Sequence, residues 1–470
     1  MKRLLISKDV QKLLVVFIIS RIIVMYFGIH MNYKAIFQYW QYLDMESLRN
    51  NLLQAVWYDH AQPPCFNLLL GIVVKLSGSY APIIFELLFK LITLANCLLL
   101  LQILKRTVHN IYIPLLVSLV YLLSPATLLF EAELFYTTFI SLLLLVSVYF
   151  LIRFQQEESL LNSCGIFIPL VILCLTRSMY HLVWLTTLSC IMLLYYRSRT
   201  GFTKLFISAT IAILLVAGWY TKNYLIFGNF SSSSWIGMNM ARNVFHDNEI
   251  TDSSRIEAFE PFSKLSVYKK FLSGNYEKRY RGLNDRDLLS EMKNDSFINE
   301  NHIDYIEISK EYMQASKQYI KSHPATYLKN VLQSTIIFFT PATRYPLAEE
   351  QSKKIIYYDI AYSFNLSHFA VGKQQRRIAL TISAIPKLLI YMAVFFLLLR
   401  TAMQKRRIEL FNIVIICTIG FVFTVSSLLE HYENMRFRYE TEPLFLVLAA
   451  QVIGEIIAKW RKQPISRNIQ

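Results

Sequence analysis

Long apolar runs separated by short charged turns recur from one end of this 470-residue chain to the other. Hydrophobic residues make up 54% of the sequence and charged residues only 17%, which is below the roughly one quarter that is typical of soluble domains. Many runs approach the about 20 residues that a helix needs to cross a bilayer, and they do not alternate as the strands of a membrane barrel would. The sequence therefore predicts an all-α, polytopic integral membrane protein.

The basic residues predict how these helices are oriented. Lys2, Arg3, Lys8 and Lys12 precede the first run and favour a cytoplasmic N-terminus, because positive charge concentrates in cytoplasmic loops. No small-residue cleavage motif follows, which favours an uncleaved first helix over a secretory signal. Alternation from there predicts ten crossings with both termini cytoplasmic, at about 11–29, 81–104, 111–130, 135–152, 163–176, 179–196, 203–219, 383–400, 411–429 and 441–458.

Two further apolar segments, 64–77 and 328–342, are short, and we expect them to be half-inserted or re-entrant. If both span the membrane, the number of crossings rises to twelve. The predicted organisation is an N-terminal transmembrane catalytic module over 1–223 with an exoplasmic loop at 30–80, a polar and helical exoplasmic region over 224–327, and C-terminal transmembrane helices over 328–470.

The net charge and the cysteines limit the kinds of partner that the protein is expected to bind. The net charge is 48 − 32 = +16, and the basic residues are spread over helix ends, which favours anionic lipid and argues against nucleic-acid binding. All six cysteines lie in or beside apolar segments without zinc spacing, so we interpret them as small packing residues.

Titratable side chains gather on the predicted exoplasmic side. Asp44 follows an aromatic-rich stretch, and Asp59 and His60 stand just before the double proline Pro63 and Pro64. Two prolines remove backbone donors and force the preceding residue out of the helical region, so this stretch predicts a shaped loop. Asp44 is a candidate general base, although a solvated acid beside an aromatic belt would look the same.

Acids and bases farther along the chain could complete a site with Asp44. Glu131 and Glu133 end the third crossing, either as ordinary helix-end acids or as a second acidic group. Four cations stand on the side where positive charge is disfavoured, and guanidinium forks suit phosphate oxygens. Their structural alternatives are a topology marker, a snorkelling lysine, and salt bridges to Glu433 or Glu440. The four cations are Arg177, Lys222, Arg436 and Arg438.

One chemistry needs such a membrane face, namely sugar transfer from a polyprenyl-phosphate donor. The leaving phosphate is stable as an anion, so it needs a cationic clamp rather than a general acid. The acceptor hydroxyl needs a carboxylate base, and the lipid tail needs a groove between apolar helices.

Four patches in the same order resemble the GT-C fold membrane glycosyltransferases of the family-39 type. This group includes the protein O-mannosyltransferases and the aminoarabinose transferase of lipid A. The patches are His60–Leu68, Trp219–Gly228 with Gly237–Asn239, His323–Leu328, and Arg436–Pro443.

The resemblance implies a GT-C-like bundle of about 10–12 helices with an exoplasmic site. It implies an inverting enzyme with a polyprenyl-phosphate-linked sugar as donor and a glycolipid, glycan or protein as acceptor. The expected location is a bacterial inner membrane, with the site facing the periplasm or cell exterior. Asp44 matches the catalytic acid of the first loop, and Glu133 or Glu131 matches the second acidic position. With the residue chemistry, it predicts substrate or donor-phosphate contacts by His60, Gln62, Arg177, Lys222, Arg436 and Arg438.

The chain also departs from the family pattern. Asp44 is not followed directly by a second acid, because Met45 stands before Glu46, and a metal-binding Asp-x-Asp is absent. No metal ligand is predicted, and the use of a divalent metal stays open. Two other functions remain as alternatives. One is an O-antigen-ligase or polymerase-like enzyme with a pyrophosphate-linked oligosaccharide, and the other is a lipid-linked sugar transporter or flippase, which would need polar residues in mid-helix.

Overall fold

A computed structural model of the protein describes residues 7–197, 200–245, 286–290, 292–293, 297–405 and 408–460. Its secondary structure is mostly helical. Twelve helices precede the polar region: α1 (Lys8–Tyr26), α2 (Ala35–Gln38), α3 (Met45–Asn50), α4 (Leu52–Tyr58), α5 (Pro64–Ser77), α6 (Ala81–Thr107), α7 (Ile113–Leu123), α8 (Pro125–Glu131), α9 (Thr137–Gln156), α10 (Leu160–Cys174), α11 (Leu182–Tyr196) and α12 (Phe202–Phe227).

The polar region contains α13 (Ile236–Phe245), α14 (Arg286–Leu289), α15 (Tyr305–Ser322) and a short antiparallel pair, β1 (Met292–Lys293) with β2 (Phe297–Ile298). The remaining helices are α16 (Pro324–Phe339), α17 (Pro346–Ser352), α18 (Ile356–Ser363), α19 (Lys373–Lys405), α20 (Leu410–Leu429), α21 (Asn434–Glu440) and α22 (Glu442–Trp460). Single 3₁₀ turns lie at Gly78–Tyr80, Ala342–Arg344, Lys353–Ile355 and Leu366–Phe369.

The long apolar helices confirm an all-α architecture that fits a multi-pass membrane protein. Among the described residues, six helical segments are long and apolar enough to cross a bilayer, or seven if the bent pair α7 and α8 is one span. The six are Pro64–Thr107, Thr137–Gln156, Phe202–Phe227, Lys373–Gln404, Leu410–Leu429 and Glu442–Trp460. The larger number of ten to twelve crossings stays a prediction.

Each of the ten predicted crossings is helical in the structure. One of them, 111–130, and one of the two short additional segments, 64–77, differ from the prediction. The segment 111–130 breaks at Ser124 with a bend of 55°, because Pro125 cannot donate the hydrogen bond that a continuous helix needs. The segment 64–77, expected to be re-entrant, is α5, which continues into α6 through one 3₁₀ turn. Gly78 at this turn has a φ of +54°, a conformation that favours glycine.

The outer faces of α12 and α19 fit contact with lipid. Ile211, Leu214 and Leu215 on α12 are exposed, and so are Phe396 and Leu399 on α19. Exposed apolar side chains in such number along long helices indicate a hydrocarbon environment rather than water.

The bundle has two ends with different chemistry. At one end, which we call the basic end, Lys105 of α6 pairs with Asp9 of α1 at 2.5 Å, and Arg106 donates to Gln156 of α9 at 2.9 Å. The other end, which we call the cavity end, carries the turns that lead into α5, α9, α11, α13 and α21.

The polar region packs onto the cavity end as a helical layer. Ile303, just before α15, is buried, and so are Ile306, Ile308 and Tyr312 on α15. Helix α13 approaches α15 so closely that a Cβ on Gly237 would lie 1.8 Å from the Ser309 carbonyl oxygen, so only glycine fits at this position. Residues 246–285 of the predicted exoplasmic region lie outside the described residues.

Candidate functional site

A cavity of about 390 Å³ opens at the cavity end of the bundle. Its walls come from chain turns that lie far apart in the sequence. They meet because each turn joins two helices at the same end. The lining includes Trp40, Gln41 and Gln62 from the first loop, Tyr136, the segment 177–183, the segment 231–242, and side chains of α20 and α21.

The loop before α5 is shaped by Asp59. Its Oδ1 accepts from the backbone nitrogens of Ala61 and Gln62, both at 3.0 Å, which makes a tight Asx-type turn. Pro64 then occupies the first turn of α5, where a missing N–H costs nothing. The next N–H, of Cys65, donates to the Leu175 carbonyl at 2.7 Å, so the start of α5 is joined to the turn that carries Arg177.

A serine-rich segment, Ser231–Ser234, closes the loop from the other side. Its backbone N–H at Ser234 donates to the His60 carbonyl at 2.9 Å, and the Ser233 hydroxyl donates to the Ala61 carbonyl at 2.6 Å. Helix α12 ends at Gly228 in the left-handed conformation, which directs the chain back toward this loop. The cavity wall is therefore held largely by backbone groups.

Two buried arginines lie at the centre of the cavity end. Arg177 Nη1 donates to Glu440 Oε1, and Arg436 contacts Glu433 at 2.5 Å and Glu440 at 3.4 Å. The Phe437 ring lies 3.8 Å from the Arg177 guanidinium carbon and 4.8 Å from that of Arg436. This stacking holds both guanidinium planes by cation–π contact.

A third arginine and a third carboxylate complete the charged cluster. Arg242 of α13 pairs with Glu430 at 3.3 Å and lies 3.9 Å from Glu433. Arg177, Arg242, Arg436, Glu430 and Glu433 all line the cavity, and Glu440 lies behind them. Three arginines thus face three glutamates, so the cluster is close to neutral before any ligand enters.

Burial and neighbouring charges shift the pKa values of these side chains. Burial raises the pKa of Glu430 to about 7, opposed by Arg242 and assisted by the neighbouring Glu433 carboxylate. Burial alone would raise the pKa of Glu433, but Arg436 and Arg242 outweigh it and the pKa is lowered. Burial, together with Arg436, lowers the pKa of Arg177 to about 10.

The rest of the cavity is amphipathic. Met179, Val183, Phe421, Val425 and Leu429 give it an apolar side formed by helices α11 and α20. The polar side adds amides and indole rings to the charged cluster. These are Gln41, Gln62, Asn239, Trp40 and Trp235.

Of the residues predicted for the site, Gln62, Arg177 and Arg436 line this cavity. His60 lies two residues before Gln62, outside the lining, and is buried, with Nδ1 2.8 Å from the Ser234 hydroxyl. Burial and the charge of Lys222 lower the pKa of His60 to about 3, so the imidazole is neutral at physiological pH and cannot serve as a cation for phosphate.

The three carboxylates predicted as catalytic, Asp44, Glu133 and Glu131, all lie outside the cavity lining. Asp44 is buried and caps α3, where its Oδ1 accepts from the Glu46 nitrogen at 2.8 Å. Glu133 accepts from the Tyr39 hydroxyl at 3.2 Å and from Asn32 at 3.4 Å, and burial raises its pKa to about 7.

Three further predicted residues use their charges in packing. Glu131 forms a buried pair with Arg21 of α1 at 2.6 Å. Lys222 donates to the Trp57 carbonyl at 2.7 Å and lies 3.7 Å from the Trp219 ring centre, as expected of an anchored lysine.

Arg438 pairs with Glu442 and donates to the carbonyls of Phe338 and Thr340, at 2.8 and 3.2 Å. Like Glu131 and Lys222, it is absent from the cavity lining. Arg438 therefore has a structural role, although its partner is Glu442 rather than the expected Glu433 or Glu440. Arg436 combines a salt bridge with a place in the lining.

Sequence reasoning missed Arg242, Glu430 and Asn67. Arg242 carries the same signal as Arg177, a positive charge on the side predicted to be exoplasmic. Asn67 joins the loops by accepting from the Leu43 nitrogen at 3.2 Å and donating to the Gln41 carbonyl and Asp59 Oδ2 at 3.1 and 3.0 Å. No signal in the sequence marks Glu430, because its position depends on packing between distant helices.

No protein family, characterised protein or solved structure matches this chain. The class that the fold supports is therefore a multi-pass helical membrane protein with an amphipathic, arginine-containing cavity at one end of its bundle. Within the ranges that the structure describes, no group of three or more His, Cys, Asp or Glu side chains is arranged to hold a metal ion.

Proposed function

We propose that the protein is a membrane glycosyltransferase of GT-C type that moves a sugar from a polyprenyl-phosphate-linked donor to an acceptor hydroxyl, with inversion. One observation carries this proposal. A single cavity brings Arg177, Arg242 and Arg436 beside an apolar wall formed by α11 and α20. A lipid phosphate needs both the arginines and the apolar wall, whereas a soluble phosphate ester needs only the arginines.

The arginines suit the phosphate of such a donor. A guanidinium fork can bind two phosphate oxygens at once, and a buried fork acts more strongly than one in water. Arg436 is 1% exposed and is held between aromatic rings, so it is oriented before a ligand arrives. Preorganised donors of this kind stabilise the charge that develops on a leaving phosphate.

The remaining lining suits the sugar and the lipid. Amides of Gln41, Gln62 and Asn239 offer donors and acceptors for hydroxyl groups, and the indole of Trp40 or Trp235 offers an apolar face for a sugar ring. Phe421, Val425 and Leu429 succeed one another along α20 and extend the apolar wall toward the bilayer, where a prenyl chain would lie.

The proposed orientation sets the cavity end outside the cytoplasm and the basic end inside it. The ion pair between Lys105 and Asp9 supports it, because alternation from a cytoplasmic N-terminus predicts that the N-terminus and the end of the crossing 81–104 lie on the same side. Single cysteines introduced at Asn50, near Asp44, and at Arg106, near Lys105, test it with a membrane-impermeant thiol reagent in a cysteine-free chain. Labelling of both from the same side of intact cells would refute the orientation.

The activity is tested by offering purified protein in lipid discs a panel of radiolabelled polyprenyl-phosphate monosaccharides with candidate acceptor lipids. Transfer is expected with at least one donor. Arg436→Lys should reduce it by at least about 10-fold, because lysine keeps the charge but cannot make the bidentate contact. Lys105→Gln at the basic end is the matched control and should transfer normally.

Two outcomes would contradict the proposal. Transfer only from a pyrophosphate-linked oligosaccharide would indicate the ligase-like alternative. Full transfer by Arg436→Lys together with Arg177→Lys would show that the arginines do not bind the donor phosphate.

A further inference from the structure

Glu430 is the carboxylate in the cavity that neither the sequence pattern nor the family resemblance singled out. It is the first residue after α20, and its side chain lines the cavity beside Arg242. A buried carboxylate that faces a ligand cavity needs a reason, because taking a charge out of water is costly. The hydrogen bonds and charges around Glu430 suggest the reason for its burial.

The end of α20 is fixed by side chains from three other helices. Asn243 of α13 donates to the carbonyls of Ser427 and Leu428 at 3.0 and 2.9 Å, and Tyr327 of α16 donates to the latter at 2.9 Å. Asn434 of α21 donates to the carbonyls of Ser426 and Glu430 at 2.8 and 3.1 Å. The last carbonyls of a helix usually depend on water or a glycine cap, and here side chains fulfil that role.

The chain then reverses sharply. Tyr432 adopts a φ of +79°, a left-handed conformation that non-glycine residues rarely adopt. Through this turn Glu430, two residues before Tyr432, and Glu433, directly after it, both line the cavity. Such a conformation persists only where the surroundings fix it, and the hydrogen bonds at the end of α20 do so.

Several charged groups act on Glu430. Arg242 lies 3.3 Å away on α13, and Glu433 and Arg436 follow on the same turn. The imidazole of His431, the next residue, lies 3.4 Å from the Ser334 hydroxyl of α16, and Arg177 and His181 line the same cavity. With these neighbours, burial still raises the pKa of Glu430 to about 7, so it exchanges a proton near neutral pH.

Building on the proposed function, we propose that Glu430 is the base that accepts the proton of the acceptor hydroxyl. The acceptor oxygen bonds to the anomeric carbon of the sugar while the bond from that carbon to the phosphate oxygen breaks. The electron pair of the broken bond stays on the polyprenyl phosphate, which leaves as a dianion. The hydroxyl proton ends on the Glu430 carboxylate.

This assignment keeps the charge of the cavity constant during the reaction. The phosphate gains one negative charge as Glu430 loses one. Protonation of Glu430 weakens its pair with Arg242, so that this guanidinium, which also lies 3.9 Å from Glu433, attracts the phosphate dianion more strongly. A base outside the cavity, such as Asp44 at the cap of α3, would leave the added charge near the phosphate without this compensation.

The test compares Glu430→Gln, Glu430→Asp and Asp44→Asn in the transfer assay, with Glu349→Gln as a control. Glu349 pairs with Arg376 at a partly exposed position outside the cavity lining. Glu430→Gln should lower kcat by about 100-fold or more and abolish the rise of the rate with pH near 7, with little change in binding of decaprenyl phosphate. Glu430→Asp should keep part of the rate and the pH dependence, since it keeps a carboxylate.

Several outcomes would overturn the inference. One is a Glu430→Gln protein that keeps its rate. Another is a protein that loses rate but keeps the same ionisation in its pH profile, which would show a structural role only. Loss of that ionisation in Asp44→Asn, with Glu430→Gln unchanged, would assign the base to Asp44. If the wild-type protein transfers no sugar from any donor while still binding decaprenyl phosphate, it is the proposed function that fails.

Discussion

The two ends of the bundle use ion pairs in different ways. At the basic end, the side chains of Lys105 and Asp9 are 31% and 30% exposed, so water and salt screen their attraction. At the cavity end, those of Arg177 and Glu440 are 5% and 0% exposed. Exposed pairs contribute little to stability, whereas a buried pair makes each partner depend on the other.

Charged side chains at the two ends of the bundle therefore act in two different ways. A basic-end charge acts through its sign alone, because any position near the membrane surface would orient the helix equally well. A cavity-end charge acts through its geometry, since Arg436 contacts Glu433, Glu440 and four aromatic rings. Substitutions at the two ends should therefore differ sharply in effect.

The largest effect is expected at Arg177. Arg177→Met leaves Glu440 charged and buried next to Arg436, and should lower the free energy of unfolding by about 3–5 kcal/mol. Thermal unfolding in detergent measures this loss. Combining it with Glu440→Gln should cost less than the sum of the two single changes; strict additivity would show that the pair is not coupled.

Glu133 should make stability depend on pH. Its pKa in the folded protein, about 7, lies above the ordinary 4.5, so its contribution is full below about pH 4.5 and is lost as the pH rises through 7. That loss is up to about 3 kcal/mol. Glu133→Gln should therefore flatten the fall in melting temperature between pH 5 and 8, with part of the fall remaining because Glu430 shifts in the same direction. An unchanged slope would contradict the buried, uncharged state of Glu133.

A smaller effect is expected at Asn67, which joins two loops of the cavity wall. Asn67→Ala leaves the buried Leu43 nitrogen and one side of Asp59 without this partner, and should cost about 1–3 kcal/mol. Gln41 and Gln62 lose their fixed spacing, so sugar transfer should fall more than stability does. Equal activity of variant and wild type at a temperature where both are folded would show that the loops are held elsewhere.

The smallest effect is expected at the basic end. Lys105→Met should change the free energy of unfolding by no more than about 1 kcal/mol, because its pair with Asp9 is exposed. The same unfolding measurement serves for Lys105 and Arg177. A loss at Lys105 as large as that at Arg177 would remove the distinction between the two ends.

Much of the fold could be predicted from the sequence, because hydrophobic runs and basic turns report directly on helices and their ends. Every predicted crossing is helical, although the crossing at 111–130 is divided between α7 and α8, and Ile308 and Tyr312, four residues apart, lie on the buried face of α15. The sequence contains Pro125, where the helix breaks. It does not contain the size of the bend at this break, which depends on how α7 and α8 pack.

The site was only partly predictable. Arg177 and Arg436 were found because a positive charge on the predicted exoplasmic side contradicts the usual bias, and this signal is local. The signal cannot tell Arg436 from Arg438, two residues apart, because the helical turn of α21 directs one into the cavity and the other to Glu442. Asp44 was favoured through its neighbours, but its position as a helix cap depends on a fold that the sequence does not display.

The start of α5 has a consequence for how such a site can change over generations. Its loop is joined to the turns before α11 and α13 through the carbonyls of Leu175, His60 and Ala61, groups that every residue type possesses. Side chains such as Gln41, Gln62 and Asn239 can therefore be exchanged without disturbing the frame that carries them. The frame of the cavity thus rests on these backbone carbonyls and on a few side chains, Asp59, Asn67 and Ser233, while the residues that line the cavity set its preference.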